Sequence, residues 1–223
     1  MTTQLSPVGR FERILLAIDG SEFSAGAVRE AITLASKCDA RLYVMGVVLT
    51  NPEYETFAPQ LVEKAEKETM EHLLAVKTSA TQAKVDCETI LRHGQDVYRE
   101  IVEEAEEHSM DIIVIGRRGK TGLMRVMMGS VTAKVIGHSH CAVLVVPRVA
   151  QVASNNILLA TDGSRYSDAA AASAGSLAKQ LQLPVKVLSV VHPAHTDERR
   201  HEGEQAAKRV GDFLTQMGVT ATI

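Results

Sequence analysis

Tryptophan is absent from this chain, and aromatic residues of all kinds make up only 4% of its 223 residues. Its core must then rest on Ala, Val, Leu and Ile rather than on rings. No charge sign dominates: 24 Lys and Arg stand against 27 Asp and Glu, a net charge of −3. That balance lacks the global basic field that points to nucleic acid, so no nucleic acid is expected as a partner. Cysteine is scarce and scattered, at Cys38, Cys87 and Cys141, with no CxxC pair. An odd, dispersed set argues against a disulfide framework and suits reduced thiols in a cytosolic protein. No apolar stretch approaches the roughly 20 residues of a membrane helix. The opening "MTTQLSPVGR" has no apolar h-region. A soluble, cytoplasmic protein without a membrane partner is expected. What is present, 45% hydrophobic and 23% charged residues, is an ordinary globular composition. It suffices for one large domain or two small ones and for a sizeable core.

The chain contains itself twice. "RILLAIDGSEFSAGAVREAITLASKCDARLYVMGVV" (13–48) aligns without a gap on "NILLATDGSRYSDAAAASAGSLAKQLQLPVKVLSVV" (156–191) at an offset of 143. Ile14, Leu15, Leu16, Ala17, Asp19, Gly20, Ser21, Ser24, Val47 and Val48 all recur. A duplicated domain is expected, with its boundary near "PRVAQVASN". This divides the chain into a complete first domain, 1–150, and a second, shorter repeat, 151–223.

Within the first repeat the hydrophobic period alternates. "RILLAIDG" is a short apolar run ending in a turn, as a strand buried on both faces would be. Ser21 or Ser24 is placed to cap the next helix, whose Ala27, Val28, Ala31, Leu34 and Ala35 recur at helical spacing. "RLYVMGVV" reads as a second strand, "LVEKAEKETMEHLLAVKTSA" as a charged amphipathic helix and "VDCETILRHG" as a third strand. "DVYREIVEEAEEHSM" reads as a helix, "DIIVIG" as a fourth strand, Ser130 to about Ile136 as a helix and "CAVLVVP" as a fifth strand. Strands alternating with helices predict an open parallel α/β sheet with helices on both faces. Such sheets bind ligands at the carboxyl ends of their strands. The first strand ends in Asp19-Gly20-Ser21, and the fourth runs into "GRRGKTGLMRVMMGSVT" (116–132).

That last segment carries the chemistry. Gly116 permits a sharp turn off the strand, and Gly119 permits main chain to approach a ligand closely. Gly129 precedes a helix opening with Ser130, Val131 and Thr132, whose free N–H groups form an anion site. Arg117, Arg118, Lys120 and Arg125 add positive charge. The pattern reads as a phosphate cradle, although glycine loops with Arg and Lys are also ordinary solvated turns. It is not a P-loop, because Val114 occupies the position of that motif's first glycine. Nor is it a dinucleotide fingerprint, whose first two glycines are separated by a single residue.

The G-x2-G-x9-G-S spacing after the fourth strand, together with Asp-Gly-Ser after the first, resembles the universal stress protein family in its tandem-domain form. The resemblance covers residues 13–147 fully and the second repeat only as far as it runs. It implies strand order 3-2-1-4-5 and, in the family's nucleotide-binding branch, ATP at the strand tips, with ADP or AMP as alternatives and Mg²⁺ as companion. Carried over by position, Asp19 would meet the adenosine and the main chain of Val47 the adenine. Ile115 would precede the loop. Gly116, Arg118 and Gly119 would approach ribose and phosphates, while Gly129, Ser130, Val131 and Thr132 would hold the phosphates.

Other residues invite duller readings. Asp19 would serve equally as a turn residue, but its recurrence as Asp162 favours a ligand role. His138 and His140 sit at a helix C-terminus with only Cys141 near, so no metal is expected there. "EEAEE" (103–107) reads as a solvated helix face. Met124, Met127 and Met128 are adaptable fillers beneath the loop or a soft partner surface. The second repeat stops at "GVTATI", the place of a third strand, and has no glycine motif, so conventional ATP binding is not expected there. An unpaired hydrophobic edge is avoided by proteins, so either a longer natural chain or another chain is expected to cover it. The resemblance implies pairing of the fifth strand across a dimer or between repeats. "CAVLVVP" has no second copy, so a homodimer through it is expected.

The leading functional reading is an ATP-binding regulatory module of the stress response with slow hydrolysis at most. The alternatives are a dimerising scaffold that needs no nucleotide, and a nucleotide hydrolase or adenylyl-transfer enzyme. Against the latter, "IDGSEFS" matches neither loop of the adenylating relatives.

Overall fold

The computed structural model describes residues 11–119, 128–150 and 155–223. Phe11–Val152 forms one compact unit, and Ala153–Ile223 belongs to another.

In the first unit β1 (Arg13–Ala17), β2 (Arg41–Leu49), β3 (Cys87–Gly94), β4 (Ile112–Gly116) and β5 (Ala142–Val146) form one sheet in the order β3-β2-β1-β4-β5. Every pairing is parallel, Ile14 standing opposite Leu42 on one side and Ile112 on the other. The order is the one expected. Ile14, Leu15 and Leu16 are wholly buried, which explains why β1 reads as a continuous apolar run rather than an alternation. Each such side chain removed from water contributes on the order of 1.5–3 kcal/mol. One face of the sheet carries Leu15, Ala17, Met45, Ile113 and Ile115. They pack with Ile101 and Ala105 of α4 (Val97–Glu107) and Val135 of α5 (Ser130–His138). Helix α1 (Ala25–Cys38) is amphipathic and buries Ala27, Ala31, Leu34, Ala35 and Cys38. It ends at Asp39, whose left-handed φ of 52° closes the helix.

Three details differ from the sequence reading. A short helix α2 (Pro52–Phe57) precedes the long α3 (Pro59–Gln82), and only the latter is announced by charged periodicity. Neither Ser21 nor Ser24 caps α1 through its side chain. A 3₁₀ turn at Glu22–Ser24 intervenes, and both hydroxyls are engaged elsewhere. The third difference is Glu104, which is 1% exposed and not part of a solvated face. It pairs with Arg92 of β3 and, at 2.7 Å, with His108. A buried carboxylate persists only when so partnered.

The second unit holds β6 (Ile157–Ala160), α6 (Arg165–Leu181), β7 (Val185–Leu188), α7 (Asp197–Gln216) and β8 (Ala221–Thr222). Its parallel sheet has the order β6-β7-β8, a partial version of the first. Equivalent positions share local geometry. Ile18 N–H donates to Met45 O, and Thr161 N–H to Leu188 O, both at 2.9 Å. Gly20 and Gly163 have φ of 73° and 79°, and Asp39 and Gln182 φ of 52° and 55°. Here the cap does form, since Ser164 directly precedes α6 and its hydroxyl accepts from Ser167 N–H.

Candidate functional site

The strand order of the sheet reverses between β1 and β4, which run parallel, and the chain leaves both strands there through glycine turns. After β1, Gly20 adopts a φ of +73°, and a Cβ on it would lie 2.2 Å from the His72 ring. Only glycine fits on both counts. The turn orients Asp19, whose Oδ1 accepts from Ser21 N–H at 3.0 Å and Ser21 Oγ at 2.7 Å. Ser24 Oγ is 3.4 Å from the same oxygen and makes its shorter bond, 2.7 Å, to the Ser21 carbonyl. Gly119 passes against the other side of the carboxylate. A Cβ there would stand 2.7 Å from Asp19 Oδ2.

On the far side of the loop, Gly129 N–H donates to Arg117 O at 2.9 Å, and Ala133 N–H to Gly129 O at 3.0 Å. The intervening N–H groups of Ser130, Val131 and Thr132 have no partner within the helix, as at any helix start. The Thr132 hydroxyl donates to the Gly116 carbonyl at 2.9 Å in a buried bond. Gly129 itself has φ −69°, ψ 150°, and a Cβ on it would meet nothing closer than 3.5 Å. The protein therefore has room for a Cβ at 129.

Between these turns lies a cavity of about 440 Å³, within the range of small-molecule sites. All ten residues singled out from the sequence line it: Asp19, Val47, Ile115, Gly116, Arg118 and Gly119, then Gly129, Ser130, Val131 and Thr132. Lys120 and Arg125, the other expected cations, lie outside the described residues, as do Met124 and Met127. Met128 is 38% exposed and does not serve as buried filler. The sequence reading missed the wall opposite. Ala65, Glu68 and Thr69 of α3 and Val97 and Ile101 of α4 also line the cavity. Their spacings are helical, so the stripes were visible, but nothing local shows that they reach over the strand tips.

His138 Nδ1 donates to the Lys134 carbonyl at 2.8 Å, and His140 lies 3.9 Å from Glu106. Neither joins a metal-ligating group among the described residues. The group that does converge, Glu104, Glu107 and His108, is held together by Arg92 as an ion-pair network. Burial pushes the Cys87 and Cys141 thiols up from their ordinary values, as inert cysteines require.

The family model described as the universal stress protein family matches residues 10–147 and 154–212. The chain belongs to the universal stress protein family. Among curated relatives, a universal stress protein of Methanocaldococcus jannaschii is 37% identical over 142 residues, covering 62% of this chain and 83% of its own. The universal stress protein YxiE of Bacillus subtilis is 36% identical over 147 residues, covering 61% and 99%. A solved universal stress protein family structure from Burkholderia pseudomallei shares 27% identity at a TM-score of 0.53, covering 63% of this chain and 99% of that one. A universal stress protein from Archaeoglobus fulgidus aligns over 96% of this chain and 77% of its own, with a TM-score of 0.76 and 18% identity. That last likeness concerns the fold alone. The curated matches each span about three fifths of this universal stress protein. Among its described residues no helix is long and apolar enough to cross a membrane.

Proposed function

We propose that the first unit binds ATP in the cavity between β1 and β4, with ADP and AMP as alternatives. The protein then acts as a nucleotide-dependent binding module of the cytoplasmic stress response, with slow hydrolysis at most. The observation that carries this reading is the convergence of Asp19, the Gly116–Gly119 turn and the start of α5 on one cavity. Three unpaired amides at a helix N-terminus suit phosphate oxygens. The apolar positions Val47, Val97 and Ile101 suit a purine. Asp19 is engaged by Ser21, which favours holding a ribose over shuttling a proton. Glu68 is the one carboxylate besides Asp19 among the described lining residues, so a Mg²⁺ ion accompanying the nucleotide would draw most of its oxygens from the phosphates. Strand β5, a sheet edge whose residues are mostly half-buried, is the proposed homodimer contact.

The test is calorimetric titration of the full chain with ATP, alongside mass spectrometry of any co-purified nucleotide. A Cβ at 129 meets only ordinary contacts within the protein, so Gly129→Val is expected to abolish ATP binding by crowding the phosphates at the start of α5 rather than by unfolding the chain. Wild-type protein that ignores millimolar ATP supports the scaffold reading instead, and rapid phosphate or pyrophosphate release supports an enzyme.

A further inference from the structure

We propose that the Thr132 hydroxyl is a positioning group that sets the amide donors of α5 against the end of β4, an inference that rests on the nucleotide reading above. The side chain is 3% exposed, and its hydroxyl donates to the carbonyl of Gly116, the last residue of β4. The β1–β4 pairing ends at Ala17 and Ile115. The Gly116 carbonyl lies one residue beyond that ladder, and Thr132 supplies the donor that β1 no longer offers. A second bond, Gly129 N–H to Arg117 O, fastens the next residue of the same strand exit to the residue preceding α5. Two bonds, to the carbonyls of the consecutive residues Gly116 and Arg117, therefore fix where α5 begins relative to the sheet.

A hydroxyl has one proton to donate, and here the protein uses it. Thr132 then meets phosphate through its main-chain N–H alone. Ser130 is exposed at the cavity and keeps a hydroxyl to offer. Loss of the Thr132 hydroxyl leaves a buried carbonyl unpaired and frees the first turn of α5 to shift. The cost falls on phosphate binding. The nucleoside end, at Asp19 and Val47, is fastened by separate bonds.

The experiment compares ATP with adenosine, by calorimetry, on the full chain carrying Thr132→Val or Thr132→Ser. Valine keeps the shape and removes the hydroxyl; serine keeps the hydroxyl. The expected result is about a tenfold loss of ATP affinity for valine, the scale of one hydrogen bond, with adenosine affinity unchanged and serine like wild type. Should the valine variant not fold, Thr132→Ala set against Thr132→Ser isolates the same hydroxyl. Equal losses for ATP and adenosine, no loss of ATP affinity, or failure of serine to rescue each overturn the positioning role. Wild-type protein that binds neither compound overturns the nucleotide reading, and the inference with it.

Discussion

Gly119 and Asp19 stand so close that a Cβ on the first would lie 2.7 Å from Oδ2 of the second. The two residues belong to motifs far apart in the chain, and their approach joins the β1 turn to the β4 loop at one end of the cavity. Asp19 has little freedom to withdraw, because Ser21 holds its other oxygen through both backbone and hydroxyl.

Gly119→Ala is therefore expected to break that arrangement. Forcing an extra methyl into a tight contact costs typically about 1–3 kcal/mol, and the displaced carboxylate or loop should lower ATP affinity at least about tenfold. Calorimetry and chemical denaturation measure the two effects. Unchanged affinity would mean that Asp19 and Gly119 do not share a ligand.

Asp162, the counterpart of Asp19 in the second unit, is held down to about 2 from its ordinary 3.8. The Ser164 hydroxyl is the leading cause, followed by the Ser164 backbone N–H and the Ser167 hydroxyl. A depressed folded-state value favours the native state above the unfolded pKa. That contribution is whole above 3.8 and disappears as the pH falls through about 2. A carboxyl-carbon NMR titration should give a midpoint near 2, and Ser164→Ala should raise it toward 3.8. A wild-type midpoint already at the ordinary value contradicts the assigned hydrogen bonds.

In the second unit Asp168, 4% exposed, receives both Arg209 nitrogens at 2.8 and 3.0 Å. Arg209→Met would strand a buried carboxylate, at a cost of about 3 kcal/mol, the low end for such pairs because the Arg209 side chain is partly open. Since two units need not unfold together, the measurement is hydrogen-exchange protection of α6 and α7 amides. The double change Asp168→Leu with Arg209→Met should recover most of the loss. Full protection in the single variant would show that the pair contributes nothing.

Much of the cavity was legible beforehand because glycines and cap-like residues are local signals. Gly116 and Gly119 marked the strand exit, and Gly129 the residue before a helix. Glu104 shows where such reading stops. In "EEAEE" it is indistinguishable from its solvated neighbours, and only the rotation of α4 turns it inward toward Arg92. Thr132 is similar: its place beside the loop was apparent, but the direction of its hydroxyl was not.

The sequence by itself determined the order and type of the main elements and the parallel sheet, because strand and helix periods and buried apolar runs are written residue by residue. The tertiary structure alone decided that α3 and α4 close the cavity with Ala65, Glu68, Thr69, Val97 and Ile101, and that Asp19 meets Gly119. Those relationships depend on how far apart, and at what rotation, segments remote in the chain come to rest, and no local periodicity encodes that distance.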